Sequence, residues 1–547
     1  MGSLREPVAP ALAAPSRGPG ALTRTGRAAR LFLLAAGGAA IATSFLRPAL
    51  WPLAWLGLGP LFALAPRAAT TRRAAFEGWW TGLATNVPAF YWLVATIHRF
   101  GGFPLPIALF FYAVLSAFGA LQFAGVAVLL RRAGPGASTL LAPAAWTASE
   151  FLFPNLFPWR LAHSQRDLLP LLQIGDATGP YGLSFAMAWI ANVAVQRPFM
   201  IRRLAAPAAA IVLLCAYGSW RIRQVDEHVA AAPAFSVGVV QGNLALDEKR
   251  HVEHFEGNIE RYRRLSFALA PTPDLIVWPE TVVEWGLPRE VDPPPELDAF
   301  PGAPAPLLFG AVSYSRRSAI PLWYNSAFLR GVDGGVHGSY DKIVLMPFGE
   351  FIPLASKWPW LKTLSPATGD FQAGTGPGLL PVGPGARVGP LICYEDLLSD
   401  HVRATVDAGA TLLASLANDA WFGDSPALHQ HEMLALWRAI ENRRYLVRAT
   451  NTGLSSVVDP TGRRLSTLPV EREAGIVATT HLLDETTPYR RVGDAFAWAT
   501  VIAAGLLSLG RRGRPEGVTR HEDAPPAQRP AADAEPEARR KPRRPGA

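Results

Sequence analysis

The sequence predicts a polytopic α-helical membrane bundle joined to a soluble domain of alternating strands and helices. Half of the 547 residues are apolar and only 17% are charged, too little charge for a water-soluble chain of this length. The apolar residues gather in long blocks over the first 220 positions, bounded by arginines. From residue 234 onward the blocks give way to short β-rich runs separated by amphipathic stretches. The length exceeds one ordinary domain, so two large units are expected.

The bundle comes first. A membrane crossing needs about 20 predominantly apolar residues. Seven such segments precede residue 221, at 30–46, 49–66, 75–97, 103–130, 138–155, 175–196 and 204–220, and an eighth runs over 492–510. The sixth is the least regular, because Gly175, Gly179 and Pro180 interrupt it. Arginines in the short loops set the orientation. Arg67, Arg72 and Arg73, then Arg131 and Arg132, then Arg197, Arg202 and Arg203, and finally Arg511, Arg512 and Arg514 alternate with the poorer loops holding Arg47, Arg99, and Arg160 with Arg166. This pattern puts both termini in the cytoplasm and residues 221–490 on the periplasmic side of a cell inner membrane. The first apolar block leads into further spans, so it reads as an anchor rather than a cleaved signal.

The net charge of +9 does not imply a nucleic-acid partner. Residues 1–30 hold five Arg and one Glu, and residues 511–547 hold nine Arg and one Lys against six acids, so +8 of the +9 lies at the two ends. The stretches 1–29 and 511–547 read as disordered basic tails, and the body between them is almost neutral. The two cysteines, Cys215 in an apolar block and Cys393 far away in the soluble region, are poorly placed for a disulfide. Cys393 is therefore expected to be a free thiol.

Within 234–485, strands are expected at Phe235–Val240, Leu275–Trp278, Leu307–Val312, Ser326–Leu329, Val388–Cys393, Thr411–Leu416, Leu446–Thr450, Ser455–Val458 and Gly475–Thr479. Helices are expected near 250–268, 396–408 and 427–444, the last with Met433, Trp437 and Ile440 on one face and Glu432, Glu441 and Arg444 left for the others. The Pro- and Gly-rich segments 282–306 and 353–387 are long for connections and read as lids or substrate arms.

Three stretches each end an apolar strand on a reactive side chain. They are Leu275-Ile276-Val277-Trp278-Pro279-Glu280; Tyr340-Asp341-Lys342 with Pro347-Phe348-Gly349-Glu350 just beyond; and Leu391-Ile392-Cys393-Tyr394-Glu395-Asp396. A free thiol with a pKa near 8.5 needs a base or a cation beside it to react at neutral pH. Glu280 can take its proton, and Lys342 can stabilise thiolate and oxyanion. Lys342 is one of only five lysines among 52 basic residues. A lysine kept against such an arginine bias points to a need for a compact ammonium.

In this order the three residues resemble the Glu–Lys–Cys triad of the nitrilase, or carbon–nitrogen hydrolase, superfamily. Together with the expected spans the chain is similar to that superfamily's membrane branch, the apolipoprotein N-acyltransferase family, over about residues 30–510. Further matches are Gln241-Gly242-Asn243, Phe157-Pro158-Trp159, Ser164-Gln165, Asn418-Asp419-Ala420-Trp421-Phe422-Gly423, His429, Arg438 and Arg448-Ala449-Thr450-Asn451-Thr452-Gly453. One departure is that Asp247-Glu248-Lys249-Arg250 stands where the family usually has a tryptophan after Gln-Gly-Asn.

The resemblance implies a nitrilase-like αββα sandwich over 234–485, a seven-helix bundle over 30–220 and a final span at 492–510. It implies Glu280, Lys342 and Cys393 as catalytic residues, with Glu350, Tyr394 and Glu395 as auxiliary or substrate-binding residues, Tyr394 also lending its backbone N–H to the oxyanion. It implies a thioester route from a phospholipid donor, expected to be phosphatidylethanolamine, to the α-amine of a diacylglyceryl-cysteine, in ping-pong order, with no cofactor or metal and a monomeric enzyme. Trp358, Trp360 and Leu361 in the second arm are candidates to exclude water.

Blander readings stand beside these. Cys393 alone would more often be a structural core cysteine, Glu280 and Lys342 could be surface charges, and Glu350 could cap a helix. Tyr394 and Glu395 could serve packing alone, and His429 with His431 makes too weak a pair for a metal. The rival functions are a membrane-tethered amidase using the same triad and a non-catalytic lipid-binding scaffold.

Overall fold

The computed structural model describes residues 24–136, 139–196, 200–245, 248–249, 251–289, 303–317, 320–364 and 369–509. The expected C-terminal tail lies outside them, as does the N-terminal one up to residue 23. Residues 24–29, also assigned to that tail, instead open the first helix, Arg24–Leu46.

Four helices among the described residues are long and apolar enough to cross a membrane: Gly26–Leu46, Pro48–Arg67, Leu105–Ala133 and Ile201–Ala231. The other four expected spans coincide with Thr71–Ala89, which at 19 residues is long but insufficiently apolar, and with the shorter helices Leu141–Leu152, Tyr181–Ala194 and Ala495–Leu509. Their shortness has local causes. Pro154 follows the end of Leu141–Leu152, and Gly179, at φ 60°, with Pro180 separates Tyr181–Ala194 from the single turn Gly175–Thr178. The long helices pack through small residues. A Cβ at Gly78 would lie 2.4 Å from the carbonyl oxygen of Phe123, so only glycine lets Thr71–Ala89 approach Leu105–Ala133 this closely. At the bundle end away from the soluble domain, the buried Glu77 carboxylate takes Arg30 Nε and Nη2 at 2.6 and 2.7 Å and Arg73 Nε at 2.8 Å.

The soluble domain is built from two sheets. The first runs β13 (Ala474–His481), β1 (Ala234–Gln241), β2 (Leu275–Val277), β4 (Leu307–Ser315), β5 (Leu322–Arg330), β6 (Val336–Asp341), with β3 (Val283–Pro288) also paired to β4. The second runs β12 (Arg464–Thr467), β11 (Ser456–Val458), β10 (Leu446–Thr450), β9 (Leu412–Ala417), β8 (Ala386–Ile392), β7 (Leu380–Gly383). Strands β1, β2 and β4 are parallel at the centre of one sheet, and β8, β9 and β10 at the centre of the other. Both faces of these central strands are covered, hence their nearly unbroken apolar runs.

Alternate residues of each sheet divide between two layers. Val237, Val239, Val277 and Leu308 meet Val388, Ile392, Ala414 and Val447 between the sheets. On the outer face of the first sheet, Val240, Ile276 and Phe309 pack under helix Phe255–Phe267 through Ile259 and Tyr262. On the outer face of the second, Leu391, Leu413 and Leu446 pack under helices Ser399–Asp407 and Ala427–Asn442. The result is the expected αββα layering.

Three local expectations are corrected. The arm expected over 282–306 begins with a strand, β3, bulged at Gly286; its residues 290–302 lie outside the described ones. The strand expected to reach Cys393 ends at Ile392. The helix expected to run to Arg444 ends at Asn442, where Arg443 turns to φ 49°. That helix is also buried on every face rather than on one, because the bundle covers the side the sheet does not. Its Trp437 and Ile440 lie against Gly175, and Gln430 Nε2 donates to the Ala89 carbonyl at 3.0 Å. Arg443 Nη2 and Arg221 Nε share the buried Asp176 carboxylate, each at 2.7 Å from Oδ2. Arg221 belongs to Ala205–Ala231, a 27-residue helix that runs from the bundle almost to β1 at Ala234.

Candidate functional site

The candidate side chains collect where strands of the two sheets end. Glu280 stands just past β2, Lys342 just past β6, Cys393 just past β8 and Asn418 just past β9. The carboxyl ends of parallel strands leave a crevice in such sheets, open for ligands. Gly310 of β4 makes room for the first of these residues. A Cβ there would come 2.6 Å from Glu280 Cα, so glycine alone lets β4 lie against the Pro279–Thr281 turn.

Glu280 is 6% exposed, and both its oxygens are engaged. Oε1 accepts from Asn325 Nδ2 at 2.7 Å and faces Lys342 Nζ at 3.5 Å; Oε2 accepts from the Asn418 backbone N–H at 3.0 Å. Lys342, 2% exposed, pairs more closely with Glu350, Nζ to Oε2 at 2.8 Å. Glu350 in turn accepts from Asn325 Nδ2 at 2.8 Å and from the Met346 N–H at 2.8 Å. One asparagine amide thus bridges both glutamates. Burial opposes charge on Lys342, but Glu350 and then Glu280 outweigh it and raise its pKa, so it remains an ammonium.

Cys393 is a partly exposed free cysteine at φ 52°, the left-handed region that favours glycine. The backbone turns there from strand into the short 3-10 helix Cys393–Leu397. Burial, then the Glu280 charge, push the thiol pKa well up, with Lys342 pulling the other way. The resting sulfur is therefore a thiol that feels the Glu280 and Lys342 charges in opposite senses.

Glu395 is fully buried. Its Oε1 accepts from Tyr340 Oη at 2.8 Å and from the Ile343 and Val344 N–H groups at 2.7 and 3.1 Å, and its Oε2 from the Ile392 N–H at 2.8 Å. It thereby ties the chain after Lys342 to the chain before Cys393. Tyr394 points toward the bundle, where its hydroxyl donates to the Leu156 carbonyl at 2.7 Å.

Several residues at the site were not singled out for it in the sequence. Asn325 sits inside β5, where no local pattern separates it from any other strand asparagine. Lys249 is 2% exposed and reaches toward Thr281 Oγ1 at 3.4 Å, the Glu280 carbonyl at 3.5 Å and Glu284 Oε1 at 3.3 Å. Its burial lowers its pKa despite Glu284. It comes from the stretch that replaces the usual tryptophan, and its rarity as a lysine was the available signal. Behind Cys393, His431 lies between Asp396 (Nε2 to Oδ1, 2.9 Å) and Asp419 (Nδ1 to Oδ1, 3.0 Å). The matched motifs link up as well: Asn451 Nδ2 donates to the Leu244 carbonyl at 2.8 Å and to Asn418 Oδ1 at 3.3 Å, and Gln241 Oε1 accepts from Ser455 Oγ at 2.6 Å.

Known proteins resemble this chain along most of its length. A family model described as the apolipoprotein N-acyltransferase N-terminal domain matches residues 37–193, and a carbon–nitrogen hydrolase model matches residues 236–491. A protein named apolipoprotein N-acyltransferase from Geobacter metallireducens is 36% identical over 496 residues, covering 86% of this chain and 93% of that one. Proteins of the same name from Azotobacter vinelandii and Ralstonia nicotianae are 33% and 32% identical, covering 89% and 85% of this chain and 95% and 90% of their own.

Proposed function

The chain belongs to the apolipoprotein N-acyltransferase family and is a membrane acyltransferase of lipoprotein biosynthesis, and from that premise we propose that Cys393 carries the acyl group as a thioester, with Glu280 as base and Lys342 as oxyanion partner. The observation that supports this most is the interlocked set around the thiol. Lys342 is held charged by Glu350 and Glu280, while Glu280 and Lys342 both act on Cys393.

In the first half-reaction the Cys393 sulfur attacks an ester carbonyl of the phospholipid as its proton passes to Glu280. The charge on the carbonyl oxygen is met by Lys342 and by the Tyr394 backbone N–H. Collapse breaks the ester C–O bond, and the departing lysophospholipid oxygen takes the proton from Glu280. In the second, the neutral α-amine of a diacylglyceryl-cysteine attacks the thioester, gives a proton to Glu280 and forms the amide. The leaving sulfur recovers that proton. Glu350 keeps Lys342 in place through both halves, and Glu395 keeps the two loops in register.

The finer topology follows. Eight crossings, with the other four helices completing the four long apolar ones, leave residues 234–485 periplasmic on an inner membrane and both termini cytoplasmic. The contacts support this side. Trp92, His163, Arg166 and Arg221, all near loops poor in arginine, touch the soluble domain or its linking segment, whereas the Arg30–Glu77–Arg73 cluster lies with the arginine-rich loops. A monomeric enzyme with phosphatidylethanolamine as donor completes the proposal.

Incubation of the purified protein with phosphatidylethanolamine is expected to add one fatty acyl mass, removable by hydroxylamine and located at Cys393 by peptide mass spectrometry. Turnover of soluble amides without such an adduct would instead mark a hydrolase. The arm contributes to the lipid side. Phe348, Leu354, Trp358 and Trp360 all stand more than half exposed or nearly so, at 57, 53, 50 and 61%. Apolar groups so placed beside a bilayer are expected to seat in it. Replacing Trp358 and Trp360 together by alanine should raise the half-saturating phospholipid concentration roughly tenfold or more, while labelling of Cys393 by a small water-soluble thiol reagent changes little. An equal fall in both would contradict the assignment.

A further inference from the structure

We propose that His431 is a positioning residue for acyl transfer: as an imidazolium it donates from both ring nitrogens, tying the turn that carries Cys393 to the turn that supplies Asn418 to Glu280. The inference rests on Cys393 and Glu280 acting as proposed above. Asp396 belongs to the 3-10 turn Cys393–Leu397, and Asp419 opens the 3-10 turn Asp419–Phe422 directly after Asn418. His431 meets one carboxylate on each side, at 2.9 and 3.0 Å. Ionised carboxylates only accept, and a neutral imidazole has a single N–H. Both bonds therefore exist only when the ring is charged.

The charged groups around the ring balance. Asp396 also accepts from Arg448 Nε of β10 at 3.1 Å and from Ser415 Oγ of β9 at 2.7 Å. The Phe422 ring closes another side, its centroid 6.3 Å from that of the imidazole. Two carboxylates thus face one imidazolium and one guanidinium, all buried. Burial resists charge on His431, but Asp396 and Asp419 overcome it and lift its pKa to about 9. The second oxygen of Asp419 has no hydrogen-bond partner, and the Asp419 charge bears on the Cys393 thiol. Loss of the His431 proton would free one carboxylate from its bond and leave a net negative charge beside the sulfur. Both changes oppose thiolate formation.

The test is the rate of acyl-adduct formation on the full-length protein with phosphatidylethanolamine, without any amine acceptor, from about pH 7 to about pH 10. Ionisation of the thiol alone would make this rate climb with pH; the His431 device predicts a fall with a midpoint near 9. His431→Gln should slow acylation roughly tenfold to a hundredfold at neutral pH and remove the fall. His431→Lys, which keeps a charged donor, should recover part of the rate and carry the fall to higher pH. A wild-type rate that holds or climbs through this range overturns the proposal without need of any variant, as does a His431→Gln protein that keeps the wild-type fall. An adduct with either of those outcomes spares the thioester reading; the lack of an adduct at every pH removes both.

Discussion

Cys393→Ala is expected to leave no acyl adduct and to reduce lipoprotein N-acylation by a factor on the order of 10⁴ or more, the scale seen when a covalent nucleophile is removed. The reason lies in the division of labour at the site. The remaining groups, Glu280, Lys342 and Glu350, bond to one another rather than through the sulfur. The cradle therefore survives the substitution, and its surviving electrostatics have nothing to act upon. Cys393→Ser should fail nearly as completely, since a hydroxyl in a place where burial and Glu280 already push the thiol pKa up is a still poorer proton donor. Thermal unfolding should shift by no more than a few degrees, which separates lost chemistry from lost fold. Retention of even a hundredth of the wild-type transfer rate by the alanine variant would remove Cys393 from its role.

Glu280→Gln is expected to lower the acylation rate by roughly 10³, within the usual range for a general base. Glutamine matches the carboxylate in shape but cannot take the proton. It also offends its surroundings. Glu280 accepts from Asn325 Nδ2 on one oxygen and from the Asn418 N–H on the other, so an amide must point its own N–H group at one of these donors. Lys342 loses one of its two carboxylates yet keeps Glu350 at 2.8 Å, so oxyanion stabilisation should persist in large part. The loss is thus expected in the chemical step, measured as a slower adduct-forming burst with little change in half-saturating phospholipid. A rate within tenfold of wild type would show that another group accepts the proton.

The positions of Glu280 and Cys393 could be read from the sequence because each follows a buried apolar strand, a local pattern, whereas Lys342 follows β6, a partly exposed strand without that pattern. The nine expected strands all correspond to observed ones, most of them buried along their length, though β13 alternates with exposed positions. The four missed strands lacked that mark. β12, Arg-Leu-Ser-Thr, and β6, Val-His-Gly-Ser-Tyr-Asp, are partly exposed, β7 is four residues long, and β3 is interrupted by Gly286 and hidden in what read as a Pro-rich arm. What binds the site together was less legible still. Asn325 bridges Glu280 and Glu350 across 45 and 25 positions, and Glu395 reaches Ile343 across 52. Such bonds arise only once two sheets have brought distant ends together. In the membrane half the apolar segments fall on helices, but only four of these are long and apolar enough to cross a membrane, and breaks at Pro154 and at Gly179-Pro180 shorten what hydropathy alone would join.

The burial of Ala427–Asn442 on all sides has a consequence for how such an enzyme could have arisen or be dissected. Excision of residues 234–485 would strip one flank of this helix of its cover, baring Trp437 and Ile440 and leaving the Arg443 guanidinium without Asp176. A naked apolar flank weighs against solubility, and Arg443 loses the carboxylate that fixes its guanidinium. The catalytic half is thus no detachable cargo riding on an anchor. The soluble half completes its own burial only against the helices of the other half.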